Sequence, residues 1–246
     1  MVTPVSSSNP CSTGNRLLHA IPAEELSQVL SISDRVRLTA GQILHEYLVP
    51  MDHVYFVEIG LVSVAAKVGP EKFVEVWLIG SDGMAGVPVI LGAGAKPLHR
   101  RTVQVDGHAL RIRTKEFREA LEMLPAFRRA LHSYLDVVLS RTSQSGACNA
   151  NHSLHHRLAR WLLVARSCLD VDDIPLTHTV LAELLGVRRA SVTECLERFE
   201  NQGLIQTKRG RITICKSDDL ADVSCDCFRM IGGEYEQQLA PSVAEK

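Results

Sequence analysis

At Thr114 the hydrophobic period of the chain changes, and that change limits the folds open to it. Upstream, "RVRLTAGQILHEY", "HVYFVEIGLVSVAAKV", "FVEVWLIG" and "RRTVQVDGHALRIR" are short β-branched or aromatic runs that often alternate apolar with polar. Glycines such as Gly69, Gly80 and Gly92 punctuate them where turns need freedom at φ. Many short strands at this spacing predict a sandwich or barrel. Downstream, "TKEFREALEMLPAFRRALHSYLDVVLSRTSQSG" places Phe127, Leu131, Tyr134 and Val138 three or four apart, the stripe of a long helix that Pro125 begins. Such a stripe has two uses: packing inside its own chain, or a coiled-coil seam between two copies.

The chain thus divides into a β region and helical regions, an α+β organisation. Its 246 residues suffice for two ordinary domains with a core each. Residues 1–15, rich in Ser, Thr, Pro and Asn, read as a disordered arm, and "AEELSQVLSIS" as a short amphipathic helix after it. The β domain takes in residues 16–124, the long helix and a hinge residues 125–150, a C-terminal domain residues 151–228, and a tail residues 229–246. No apolar run approaches the roughly 18 residues of a membrane span, and the N-terminus lacks a secretory apolar segment. A cytoplasmic protein without membrane contact is expected. Seven irregularly spaced cysteines then predict free thiols.

With a net charge of −1, any binding to nucleic acid must come from a local concentration of Lys and Arg. Residues 177–211 supply one. Thr177 suits the N-cap of a helix whose inward face is Val180, Leu181 and Leu184, and Gly186 suits the turn that ends it. A second helix from Arg189 buries Val192, Leu196 and Phe199 and leaves Arg188, Arg189, Ser191, Thr193 and Glu194 near its outward start. Two helices joined this way make a helix-turn-helix, and the major groove of DNA admits the second one. Arg189 has the fork for guanine and Glu194 an acceptor for cytosine, although Glu194 is also placed to pair with Arg198 along the helix. "LIQTKRGRITI" then predicts a two-stranded wing that lays Lys208, Arg209 and Arg211 along phosphates. Duplex DNA is the expected partner.

Other signals are weaker. Cys225 and Cys227 in "SCDCF" read as free tail cysteines, Cys148 and Cys168 as ordinary helix residues, and His152, His155 and His156 as solvated or packed at a hinge. No metal site is expected. GxSxG, HExxH and Walker motifs are absent, so no catalytic residue is expected and the chain does not read as an enzyme. Two rival classes are a small-molecule module acting on a protein partner, and a cupin-like barrel enzyme, for which His45, His53, His99 and His108 are too scattered.

The stretches "LTHTVLAELLGVRRASVTECLERFENQGLI", "RGRITI" and "HRLARWLL", and more loosely "HVYFVEIGLVSV" and "RRTVQVDGHALRI", resemble the Crp/Fnr family of bacterial transcription regulators over about residues 16–228. The resemblance implies a cyclic-nucleotide-binding-type β-roll, a long dimerisation helix and a winged helix-turn-helix. It implies that Phe127, Leu131, Tyr134 and Val138 form the seam of a homodimer, that two reader helices meet a palindromic site about one DNA turn apart, and that RNA polymerase is a further partner. A rotation near residues 146–153 would set the spacing of the readers. The chain also departs from the family. Ala190 stands where many relatives carry Glu, Glu194 where some carry Arg, and Arg188 where a Ser N-cap is usual, so base preference should differ. In the implied effector pocket, Gly86 is followed by Val87 where cyclic-AMP binders place a ribose-holding glutamate, and no serine follows His99, Arg100 and Arg101. Cyclic AMP is therefore not expected, and the effector stays unnamed. Only Cys11 lies near the start, against the several cysteines that an N-terminal iron–sulfur cluster needs.

Overall fold

A computed structural model of the chain describes residues 12–92 and 96–230. Cys11 and nearly all of the predicted arm and tail lie outside the described residues. The arm's last residues are not loose: Asn15 is buried, and its side-chain amide donates to Val57 O (2.7 Å) and Gly83 O (2.9 Å). Glu58 accepts from Thr13 Oγ1 (3.1 Å), Gly14 N (2.9 Å) and Arg35 Nε (2.7 Å), so polar residues that looked unburiable are ordered by specific partners.

A short helix, α1 (Ala23–Ser31), leads into the strands β1 (Asp34–Leu38), β2 (Ile43–His45), β3 (His53–Lys67), β4 (Phe73–Ile79) and β5 (Met84–Ala85). The four-residue α2 (Val87–Ile90) and the strand β6 (His99–Arg113) follow. The sheet is antiparallel in the order β1-β6-β3-β4, with β2 on β6 and β5 on β3. The pairing of β3 with β6 shifts register around Ile59 and Leu61, and these bulges bend the two long strands into a roll. Glycine makes the bend: Gly60 has φ +105, and a Cβ on Gly107 would sit 1.9 Å from the carbonyl oxygen of Ile59.

The helices α3 (Thr114–Met123) and α4 (Pro125–Asn151) close the roll. Glu25 of α1 caps α4, its carboxylate accepting from Ala126 N (3.1 Å) and Phe127 N (2.7 Å). Phe56, Phe117 and Phe127 form an aromatic cluster with ring centroids 5.7–6.3 Å apart. Phe127, Leu131, Tyr134 and Val138 are all buried in this core, and the Tyr134 hydroxyl accepts from Met84 N at 3.2 Å. The expectation that these four form the seam between two copies is corrected: the inside of the roll needs an apolar lid, and this stripe supplies it.

The chain continues through α5 (Leu154–Leu169), β7 (Asp173–Ile174), α6 (His178–Leu185), α7 (Arg189–Asn201), β8 (Ile205–Lys208), β9 (Arg211–Ile214) and α8 (Ser217–Val223). A three-stranded sheet in the order β7-β9-β8 backs the helices. Leu158, Leu162, Leu181, Val192, Leu196, Phe199 and Ile212 form a second core, which Leu61 and Leu78 of the roll also enter. Trp161 of α5 donates its indole N–H to Glu75 of β4, so the two units are docked. Among the described residues no helix is long and apolar enough to cross a membrane.

Candidate nucleic-acid interface

Thr177 caps α6, its hydroxyl accepting from Val180 N at 3.3 Å. Gly186 ends the helix with φ +67, a left-handed turn that an L side chain resists, and α7 starts three residues later. Arg188 takes the N-cap position of α7 without a side-chain cap bond. Because Val192, Leu196 and Phe199 face the core, the opposite side of the first turns is open: Arg188, Arg189, Ala190 and Glu194 are exposed and Ser191 half-buried. Free backbone amides and two guanidinium groups thus meet at one helix end, an arrangement suited to phosphate and guanine. Thr193 is differently placed. Its hydroxyl lies 3.0 Å from His178 Nδ1, so it ties α7 to α6.

The wing is braced on the same helix. Glu200 near the end of α7 accepts from Thr207 N (2.8 Å) and Thr207 Oγ1 (2.9 Å). Lys208 pairs with Arg211 across a turn in which Gly210 has φ +72, and Lys208 and Arg209 are exposed at its tip. Arg211 is half-committed elsewhere: its Nη1 lies 2.7 Å from Asp173 Oδ2. Thr213 and then Arg211, by hydrogen bonding to it, hold the Asp173 carboxyl below the usual carboxylate range. The exposed cations at the start of α7 are therefore Arg188 and Arg189, and those of the wing are Lys208, Arg209 and the Asp173-paired Arg211. The start of α7 also borders a cleft shared with Glu71, Phe73 and Arg100 of the roll.

The roll separates its predicted pocket residues. Strand alternation sends Arg101 inward and Arg100 outward. Arg100 stacks over the Phe73 ring (3.9 Å to the centroid) and pairs with Glu46 at 2.9 Å, so it does not share a pocket with Arg101, as had been expected. Arg101 is buried and donates to His99 O at 2.9 Å, while its Nε has no hydrogen-bond partner. Gly86 has φ +134, and a Cβ there would meet Val54 Cγ1 at 2.6 Å; Val87 is buried, so no carboxylate stands at this turn.

The fold also gathers side chains that the sequence kept apart. Cys225 and Cys227 are free thiols, as expected, but they are not loose in a tail: they lie buried against Cys148 and His152 at the end of α4, and one potential ligand atom from each of the four lies within 4.8 Å of the others. Two partial signals were present, a Cys-x-Cys pair and a Cys and His one helical turn apart, but each alone is half a ligand set.

The sequence profile of a Crp-like helix-turn-helix domain matches residues 156–223. No curated protein matches the chain by sequence. Among solved structures, FixK2 from Bradyrhizobium japonicum superposes with a TM-score of 0.68 at 15% identity, covering 79% of this chain and 98% of its own. CLP from Xanthomonas campestris, described as a c-di-GMP-responsive global regulator, gives 0.65 at 16% identity over 78% of this chain and 99% of its own. A CooA variant from Carboxydothermus hydrogenoformans gives 0.60 at 18% identity over 81% and 91%. The chain therefore carries a Crp-like helix-turn-helix domain at residues 156–223 and has the fold of Crp/Fnr-family structures.

Proposed function

We propose that the protein is a cytoplasmic transcription regulator that reads a palindromic DNA site as a homodimer and meets RNA polymerase at the promoters it binds. The observation that carries the reading is the pairing of an exposed basic start on α7 with an exposed basic wing tip, both braced on one helix. Arg189 and Ser191 read bases, Glu194 contributes a cytosine contact, and Arg188, Lys208 and Arg209 hold phosphates. Thr177 and Thr193 act by shaping the two helices, and Arg211 reaches phosphate once it leaves Asp173. The dimer forms on the outward face of α4, which keeps Leu139 exposed beside the half-buried Leu135. The roll senses an anionic effector through Arg101, and residues 152–153, between α4 and α5, are the pivot that repositions the winged domain.

The test is retention of genomic DNA fragments by the purified protein at physiological salt. A shared palindrome is expected, and Arg189→Ala should lower affinity for it by about 1–3 kcal/mol and relax the base preference at one position. Lys208→Ala should instead weaken all sequences alike and flatten the salt dependence. Fragments retained without any common sequence, and lost at modest salt, would favour a module that acts on a protein partner.

A further inference from the structure

Four side chains distant in sequence converge where the end of α4 meets the segment after α8. Cys148 Sγ lies 3.4 Å from Cys225 Sγ, and Cys227 Sγ lies 3.6 Å from His152 Nδ1. One ligand atom from each of the four falls within 4.8 Å of every other. The three cysteines are buried and His152 is half-buried. In a tetrahedral zinc site, Zn–S bonds of about 2.3 Å and Zn–N bonds of about 2.0–2.1 Å set two sulfurs about 3.8 Å apart and a sulfur and a nitrogen about 3.5–3.6 Å apart. The Cys227–His152 separation matches that spacing before any ion is placed, and the Cys148–Cys225 pair lies about 0.4 Å inside it.

The donor types point the same way. Thiolates with one imidazole select a soft or borderline cation and exclude magnesium and calcium, which take oxygen ligands. Four protein ligands also complete the tetrahedron and leave no open position for a substrate, the arrangement of a structural site. Outside the four, Gln144 Nε2 donates to Cys227 Sγ at 3.1 Å, the kind of neighbouring donor that orients a thiolate and offsets its charge. The thiolates of an iron–sulfur cluster are spread over separate irons, whereas these donors converge on one point.

We propose that Cys148, His152, Cys225 and Cys227 bind a single zinc-class divalent ion in a tetrahedral shell. The ion joins the end of α4 to the segment that follows the last helix of the winged domain. It spans residues 152–153, where α4 gives way to α5, and so fixes the angle between the long helix and the DNA-reading unit. Loading the site stiffens that pivot, and withdrawal of the ion releases it.

Cobalt(II) reports such a site directly, through the visible absorption of a tetrahedral ion and its thiolate charge-transfer bands. The full chain, reduced and stripped of metal, is titrated with cobalt chloride and then with zinc chloride. The expected result is saturation at one cobalt per chain, an intense visible spectrum, and bleaching by one equivalent of zinc. Cys227→Ser and His152→Ala should each weaken cobalt binding by about tenfold or more, with an altered spectrum, while Cys215→Ser, at an exposed cysteine outside the cluster, should change nothing. Absence of a saturable cobalt spectrum in the reduced wild-type chain would overturn the proposal, whatever the variants do. So would a spectrum that survives in Cys225→Ser/Cys227→Ser, or a chain whose Cys148 and Cys225 are found only as a disulfide and take up no cobalt once reduced.

Discussion

Arg101 takes a guanidinium into the interior of the roll, where it is 1% exposed and pairs with no carboxylate among the described residues. Burial pulls its pKa down to about 10, and burial together with the Arg101 charge pulls the neighbouring His45 down to about 4. One hydrogen bond to His99 O does not replace the water that the cation has lost. Arg101→Met, which keeps most of the volume without the charge, should therefore stabilise the protein by roughly 1 kcal/mol or more in urea unfolding. Lower stability instead would show that the bonds of Arg101 outweigh its desolvation. The charge itself was plain in the sequence, but its direction was not, because adjacent arginines on a strand point to opposite faces and only the register decides which enters the roll.

At the scale of elements, α4 has two faces with different tasks. Leu131 is fully buried against the roll, so Leu131→Ala should cost about 2–5 kcal/mol of stability through the cavity it leaves, without altering oligomeric state at temperatures where the fold holds. Leu139 is 66% exposed on the other face, and Leu139→Glu should leave the unfolding of a single chain nearly unchanged while shifting the sedimentation of the protein from dimer to monomer. Equal sedimentation of Leu139→Glu and wild type would remove this face from the dimer. The helix and its period were legible from Phe127, Leu131, Tyr134 and Val138, but not which surface the stripe meets. An apolar stripe is satisfied equally by a partner chain or by the chain's own sheet.

Over the whole molecule, the roll and the winged domain share a contact centred on Trp161 and Glu75. Enclosure between β4 and α5 pushes the Glu75 carboxyl up from 4.5 to about 7, against the Trp161 hydrogen bond and the Arg160 charge, which lower it. The native state thus holds a proton that the unfolded chain releases. This contribution is fully present below about pH 4.5, erodes as pH rises, and is gone above about 7. Unfolding free energy followed from pH 5 to 8 should fall with a slope below one proton in the wild type, and Glu75→Gln should remove that part of the slope. Glu58 acts in the opposite sense: burial raises its carboxyl, but Arg35 and Gly14 N more than offset this, and the stability it gives is lost only in acid. An unchanged slope in Glu75→Gln would mean that the docked contact carries no titrating group.

The sequence by itself determined what depends on near neighbours along the chain. The period change at Thr114, the turn at Gly186 and the start of α7 at Arg189 follow from local backbone preferences and from residues three or four apart, and so does the exposed basic face of the reader helix. Only the tertiary structure decided what depends on residues distant in sequence: that Arg100 faces Phe73 while Arg101 faces the core, that the α4 stripe closes its own roll, and that Cys225 and Cys227 reach Cys148 and His152. The physical reason is the same in each case. Local spacing fixes which side chains share a face, but the partner of that face comes from how the whole chain buries its apolar surface.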